Sequence, residues 1–262
     1  MLTVPFASWI TVIIPFQDEN VCKLIVKQYT SFGYDYVKTG YNCYVLLIVT
    51  FFQKLSVYTL RTVVSVLYVI ICCSLRNTLN ANTELGAKVV ANPNAKVDYA
   101  IYKANVQTHE CVVSVLKSFE KTMSFPIFLI TSSDLMAVMY GVVKLDPLNN
   151  LSGYNTRAFK YTSAIIFISL RGILSFLCIN LAASDVHEAS KNAKDVQKDM
   201  LKRILISGEK SDIQELVPFS VLHNYPPFVL TAWGVFRFTK GLFLSAFGSV
   251  LTYSLLIMQI LK

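Results

Sequence analysis

The chain has 262 residues, 54% of them hydrophobic and only 15% charged, and its formal net charge is +8. Soluble domains are about a quarter charged, so this balance argues against an ordinary soluble fold and predicts a membrane protein. Lys and Arg residues lie between the apolar segments, as they do in cytoplasmic loops, which argues against nucleic acid as a partner.

The apolar residues gather in five segments. These are 2–16, 44–75, 123–143, 159–183 and 241–261. Four of them reach the length of about 20 residues that crosses a bilayer core. The first is short and contains Pro5 and Pro15, so it is predicted to be part of a span. The second is too long for one crossing and too short for two, which predicts one span with a helical extension.

Polar sequence follows two of these segments. In 76–122, the Asn-rich first half is typical of irregular chain, whereas apolar residues from about Val97 onward recur at helical spacing. The polar residues after Ala183 predict a solvated helix that continues the fourth apolar segment. Segments 44–75 and 159–183 should therefore each belong to a helix that extends beyond the membrane.

The distribution of basic residues predicts the orientation in the membrane. Segments 76–122 and 184–240 are rich in Lys and Arg, whereas the loop 146–155 has none. The positive-inside rule places the two basic segments in the cytoplasm, and it places the loop and the C-terminus outside. Asn150 begins an Asn-Leu-Ser triplet in that loop and is a possible glycosylation site.

Two charged residues fall in the middle of neighbouring spans. Asp134 and Arg171 both lie about 17 Å from the predicted cytoplasmic surface, close to the midplane of the bilayer. An unpaired charge at this depth is costly, so an ion pair between these two residues across antiparallel helices is predicted. Arg61 is a competing partner, and a second interpretation is that one or both charges face a solvated pocket.

The last apolar segment carries a stripe of small and polar residues. Its members recur at steps of three and four residues: Ser245, Ser249, Thr252, Leu256 and Gln259. This spacing keeps them on one face of a helix. A polar stripe on a membrane helix faces either a water-filled path or a neighbouring helix, and the spacing alone does not separate the two.

A sequence motif coincides with this stripe. Thr252 and Tyr253 are followed by five mostly apolar residues and Gln259, which resembles the signature of arthropod gustatory receptors. Ile260 departs from the signature, because the family usually has Phe there. Upstream, the run from Ala232 to Phe236 is similar to the Ala-x-Gly-x-Phe pattern of the family. The resemblance covers roughly residues 100–262, the C-terminal portion of such a receptor.

The resemblance implies an all-α, polytopic transmembrane helical bundle with about four to five spans of a seven-span fold. It implies one partial chemoreceptor domain over 1–262, the earlier spans being absent. Members are tetrameric, ligand-gated, nonselective cation channels of the plasma membrane, with small-molecule tastants or odorants as ligands and with identical or different receptor subunits as partners. By this resemblance the stripe lines the pore, Leu256 is an apolar constriction, and Gln259 forms a ring at the outer mouth.

Other functional classes find less support in the sequence. The chain has no Gly-x-Ser-x-Gly, HExxH or P-loop motif, so enzyme activity is not predicted. The Cys and His residues show no metal-ligand spacing, and no cofactor is predicted. A secondary transporter with Asp134 and Arg171 as substrate or proton sites is one alternative. A truncated receptor copy without activity is another.

Overall fold

A computed structural model describes residues 43–91, 99–144, 156–207 and 226–260. Within these ranges the chain forms four helices and a short hairpin. The helices are α1 (Cys43–Ala91), α2 (Tyr99–Lys144), α3 (Thr156–Ser207) and α4 (Leu242–Ile260), and the strands are β1 (Thr231–Ala232) and β2 (Phe236–Arg237). The predicted all-α polytopic fold is confirmed. Segment 2–16 and Asn150 lie outside the described residues.

All four helices are long and apolar enough to cross a membrane. α2 has 46 residues and α3 has 52, so at 1.5 Å per residue they extend about 69 and 78 Å, more than twice the thickness of a bilayer core. Each therefore continues well beyond its apolar part. This confirms the predicted continuation of the fourth segment past Ala183, and it confirms the helix predicted from about Val97.

The prediction of irregular chain after Arg76 is wrong for the described part, because α1 continues to Ala91. The reason is tertiary packing. Asn82 is buried and donates to the Asn105 carbonyl at 3.2 Å, while the Asn105 amide donates to the Asn82 carbonyl at 3.0 Å. An asparagine that breaks a solvated helix is thus held in a helical segment by a partner on α2, and this contact overrides its weak helix propensity.

The described chain divides into two compact units. The first consists of 43–66, 132–144, 156–175 and 247–260. In it, α2 and α3 run antiparallel, since Gly172 lies beside Asp134 whereas Gly141 lies beside Ser169. Glycine at these positions allows two membrane helices to approach closely.

The second unit consists of 67–131 and 176–246, within the ranges that the structure describes. Its hydrophobic core contains Tyr102, Val106, Met200 and Ile204, which join α2 to α3. An ion pair links Arg76 of α1 to Asp185 of α3 at 2.7 Å. The unit holds most of the polar sequence between the apolar segments, and its helices are nonetheless packed against one another rather than separately solvated.

Candidate functional site

Three charged side chains come together in the first unit. Asp134 is completely buried, and its carboxylate forms an ion pair with the guanidinium of Arg61. Arg61 also donates to the Ser133 hydroxyl at 3.1 Å. The guanidinium of Arg171 lies over the ring of Tyr58, 4.6 Å from its centroid. The cluster therefore contains two cations, one carboxylate and an aromatic ring in the apolar part of the helices.

The predicted ion pair between Asp134 and Arg171 is wrong, because the partner of Asp134 is Arg61, the competing candidate. On α3, Gly172 rather than Arg171 faces α2: a Cβ at Gly172 would lie 3.0 Å from the Asp134 carbonyl oxygen. Successive residues of a helix differ by about 100° in direction. Arg171 is therefore turned aside and reaches the ring of Tyr58 on α1 instead.

The charge cluster retains unused hydrogen-bonding capacity. Among the described residues, neither Oδ2 of Asp134 nor Nη1 of Arg171 has a hydrogen-bond partner, and both atoms are buried. Buried polar atoms of this kind normally bind protein groups or ordered water, and leaving them unmatched is costly. A water molecule or a polar ligand group that both donates and accepts would match these two atoms.

The five stripe residues lie together on an exposed side of α4. Ser245, Ser249, Thr252, Leu256 and Gln259 are all exposed in the isolated chain. At 100° per residue they occupy an arc of about 80°. The two buried residues of the helix, Val250 and Ser254, lie on the opposite side. Leu244, Leu251 and Leu255 are exposed as well, so exposure alone does not separate a pore surface from a lipid-facing one.

The hydroxyl groups of the stripe are partly used within the helix. Thr252 Oγ1 donates to the Gly248 carbonyl at 2.9 Å, and Ser245 Oγ donates to the Leu242 carbonyl at 3.0 Å. Such bonds let a hydroxyl side chain lie in an apolar environment at low cost. Tyr253, the second residue of the motif, is 62% exposed.

The second motif forms a hairpin, which the sequence did not predict. Ala232 pairs with Phe236, and the Val235 amide donates to the Ala232 carbonyl at 3.0 Å. Trp233 and Gly234 both have positive φ angles, of 51° and 71°. Glycine adopts this conformation readily, but a bulky residue such as Trp does so only under constraint.

Contacts with α2 supply that constraint. The Trp233 amide donates to the Ser124 hydroxyl at 2.7 Å, and its indole packs against Phe125 and Phe128 with ring centroids 5.4 and 5.3 Å apart. The Glu120 carboxylate accepts from the Thr231 amide at 2.9 Å. Beside the hairpin, Lys240 bonds Glu188 at 2.6 Å, and this carboxylate raises the pKa of Lys240. The motif thus fixes the turn that leads into α4.

Comparison with known families identifies the family of this chain. The family model described as Trehalose receptor matches residues 15–262. The chain belongs to this family of insect gustatory receptors. Membership supports a gustatory chemoreceptor function for the receptor chain, and it favours a non-enzyme. The family and the four apolar helices together fit a multi-pass membrane protein. No curated protein matches the receptor chain.

Sequence reasoning missed three features of the receptor chain. It ranked Arg171 above Arg61 as the partner of Asp134, because depth along a helix is readable from sequence whereas direction around the axis is not. It also missed the hairpin, although Trp-Gly between apolar residues is a possible turn signal. The third feature is a cavity in the second unit, whose lining residues come from distant parts of the chain.

Proposed function

We propose that this receptor is a subunit of a ligand-gated, nonselective cation channel of the plasma membrane, with α4 lining a central pore. The subunit would act as a tetramer, either of identical chains or with other receptor subunits. Segments 76–122 and 184–240 would face the cytoplasm. The whole of 1–262 would form one chemoreceptor domain with the five predicted apolar segments.

The observation that carries the proposal is the placement of the stripe on α4. Its five residues are exposed opposite the side that buries Val250 and Ser254. The Gln259 amide is costly against lipid, whereas a pore shared by several subunits can hydrate it together with the hydroxyl groups of the stripe. Leu256 would form the apolar constriction that closes the pore by dewetting, and the uncharged Gln259 would discriminate weakly among cations.

Trehalose is the first ligand to test, because the family description names it. A sugar presents many hydroxyl groups that both donate and accept hydrogen bonds. In the charge cluster, Asp134 offers a buried acceptor atom and Arg171 offers a buried donor atom. We therefore propose that this cluster stabilises a polar cavity in which a hydroxylated ligand or its bridging waters bind.

Whole-cell recording tests the role of α4. The chain is expressed in cultured cells, surface expression is verified, and trehalose is applied with a panel of other tastants. Leu256→Ser should raise the current without ligand severalfold, because a polar constriction no longer dewets. Leu255→Ser is the matched control, since Leu255 is similarly exposed but lies off the stripe, 55% against 49% for Leu256.

Ion selectivity gives a second readout from the same cells. Gln259→Glu should increase the permeability to Ca²⁺ relative to Na⁺, because a ring of carboxylates attracts divalent cations. Equal effects of the Leu256 and Leu255 substitutions, together with unchanged selectivity, would contradict pore lining by α4. Absence of current despite verified surface expression would contradict channel activity of this chain by itself.

A further inference from the structure

A cavity of about 740 Å³ lies in the second unit, among α2, α3 and the chain before β1. Volumes of this size accommodate small organic ligands. The lining residues that the structure describes all belong to the second unit, and none of them is a member of the charge cluster or of α4. The cavity is therefore separate from both features used in the proposed function, and it does not depend on them.

The charged lining of the cavity is predominantly basic. Lys117, Lys194 and Arg237 line it, against the single carboxylate of Glu110 within the described lining. The Lys194 ammonium donates to the Pro226 carbonyl at 3.2 Å. Because Pro226 also lines the cavity, this bond keeps the ammonium group at the cavity wall. Lys117 and Arg237 form no ion pair with the carboxylates of the described ranges.

Three acidic side chains of the second unit have other partners. Glu120 accepts two hydrogen bonds from Thr231. Glu188 pairs with Lys240, and Asp185 pairs with Arg76. These carboxylates are consequently engaged elsewhere, and the positive charge at the cavity is not balanced by them. Three basic groups around one space produce a potential that attracts an anion.

A buried histidine also lines the cavity. His109 is only 5% exposed, and its Nε2 is buried with no hydrogen-bond partner among the described residues. An imidazole nitrogen can donate or accept, depending on its tautomer. An unmatched polar atom at such low exposure indicates that something outside the described chain completes it.

The remaining walls are apolar and partly aromatic. Tyr102 is almost fully buried, and Phe228 is half-buried beside it in the lining. Aromatic and proline surfaces pack against organic rings, whereas basic side chains bind phosphate oxygens through strong, charge-assisted hydrogen bonds. One ligand that meets both requirements is an organic phosphate that carries a ring.

We propose that this cavity is a second ligand site, which binds a phosphate ester of about nucleotide size. The phosphate lies between Lys117, Lys194 and Arg237 and forms a hydrogen bond with the Nε2 of His109. The organic part packs against Tyr102 and Phe228. By the orientation proposed above, the cavity faces the cytoplasm, so its ligand is an intracellular phosphate ester, either free or as the headgroup of a lipid.

Thermal unfolding of the full chain tests the site, with ATP as the soluble probe. The chain is purified in a detergent without phospholipid, and tryptophan fluorescence is followed at constant ionic strength. ATP at millimolar concentration should raise the unfolding temperature by a few degrees, as expected when a ligand binds only the folded state. Adenosine and matched KCl should have little effect, because they lack the phosphate.

Variants at exposed positions keep the test independent of folding. Lys117→Gln and Arg237→Gln should each raise the ATP concentration needed for a half-maximal shift in unfolding temperature about tenfold, because each removes a charge-assisted contact. Lys121→Gln is the matched control, since Lys121 is an exposed lysine one turn further along α2 that does not line the cavity. Nanodiscs with and without phosphatidylinositol bisphosphate distinguish a lipid headgroup from a free phosphate.

Stabilisation by ATP or by the phosphoinositide that is lost in both cavity variants and kept in Lys121→Gln would support the site. No response to either probe would overturn the proposal. An equal loss in the Lys121 variant would also overturn it, because the effect would then reflect general surface charge. A response to adenosine as large as that to ATP would overturn the assignment of a phosphate.

Discussion

At the scale of single residues, Asp134 places a carboxylate in the interior of the first unit. It is fully buried, and its ion pair with Arg61 supplies the compensating charge. Burying two charges is expensive, and removing one partner leaves the other without compensation. Arg61 therefore stabilises the fold by neutralising the buried charge of Asp134. Arg171 instead contacts the aromatic ring of Tyr58.

Substituting the two arginines separately should distinguish their roles. Arg61→Gln is expected to lower the free energy of unfolding by about 3 kcal/mol, because it leaves the Asp134 carboxylate buried and unpaired. Arg171→Gln loses the contact with Tyr58, which is worth about 1 kcal/mol. Denaturant titration of the purified chain in detergent measures both. A larger loss from the Arg171 substitution would show that the pair predicted from sequence was the correct one.

The hairpin turn offers a second prediction about a single residue. Gly234→Ala should destabilise the second unit by about 1–2 kcal/mol, because a Cβ is unfavourable at its φ of 71°. Gly241→Ala is the control, since a Cβ at either glycine would meet nothing within 4 Å and Gly241 has no positive φ. Thermal unfolding compares the two. Equal melting temperatures would contradict the left-handed turn.

At the scale of elements, the helices pack through small residues and through paired polar groups. A Cβ at Gly141 would lie 1.9 Å from the Ser169 hydroxyl and 2.9 Å from its Cβ. Ser169 in turn donates to the Ala137 carbonyl at 3.4 Å. Lipid offers no hydrophobic force between membrane helices, so this close approach is itself the source of their association.

Gly141→Ala should therefore separate α2 from α3 in the first unit, with a loss of roughly 1–3 kcal/mol in stability. The double variant Gly141→Ala/Ser169→Gly should recover part of the loss, because it removes the side chain that clashes. Gly248→Ala is the control, since a Cβ there meets nothing and alanine favours the helix. Unfolding in detergent measures the series. A failure of the double variant to recover would argue against direct contact.

At the scale of the whole molecule, the proposed orientation places both basic segments on one side of the membrane. Cys111 lies in the polar half of α2 and is exposed. The orientation proposed from charge puts it in the cytoplasm, on the side opposite to the loop 146–155. A single cysteine at either place therefore reports the orientation.

Labelling of intact cells tests this topology. With the other five cysteines replaced by alanine, Cys111 should react with a membrane-impermeant maleimide only after the cells are permeabilised. A cysteine introduced as Asn149→Cys, with Cys111 also replaced, should react in intact cells. Reversed labelling would contradict the positive-inside assignment. Removal of a glycan from Asn150 by a glycosidase would independently place the loop outside.

Several features of the receptor follow from the sequence alone. Hydropathy summed over about 20 residues identifies a span, because the cost of placing polar groups in lipid is nearly additive along the helix. The all-α fold, the four described apolar helices and the continuation of α3 past Ala183 were predictable for this reason. The Thr252, Tyr253 and Gln259 motif indicated the family, which the match over 15–262 confirmed.

Only the tertiary structure decided which side chains meet. Pairing depends on the direction of a residue around its helix and on the neighbour that this direction faces. The sequence therefore placed Asp134 and Arg171 at the same depth. It could not show that Gly172 faces α2 and that Arg171 consequently points in another direction around α3. Asn82 is helical because Asn105 bonds it, and His109 lines a cavity because distant segments surround it. Such long-range contacts leave no periodic signal in the sequence.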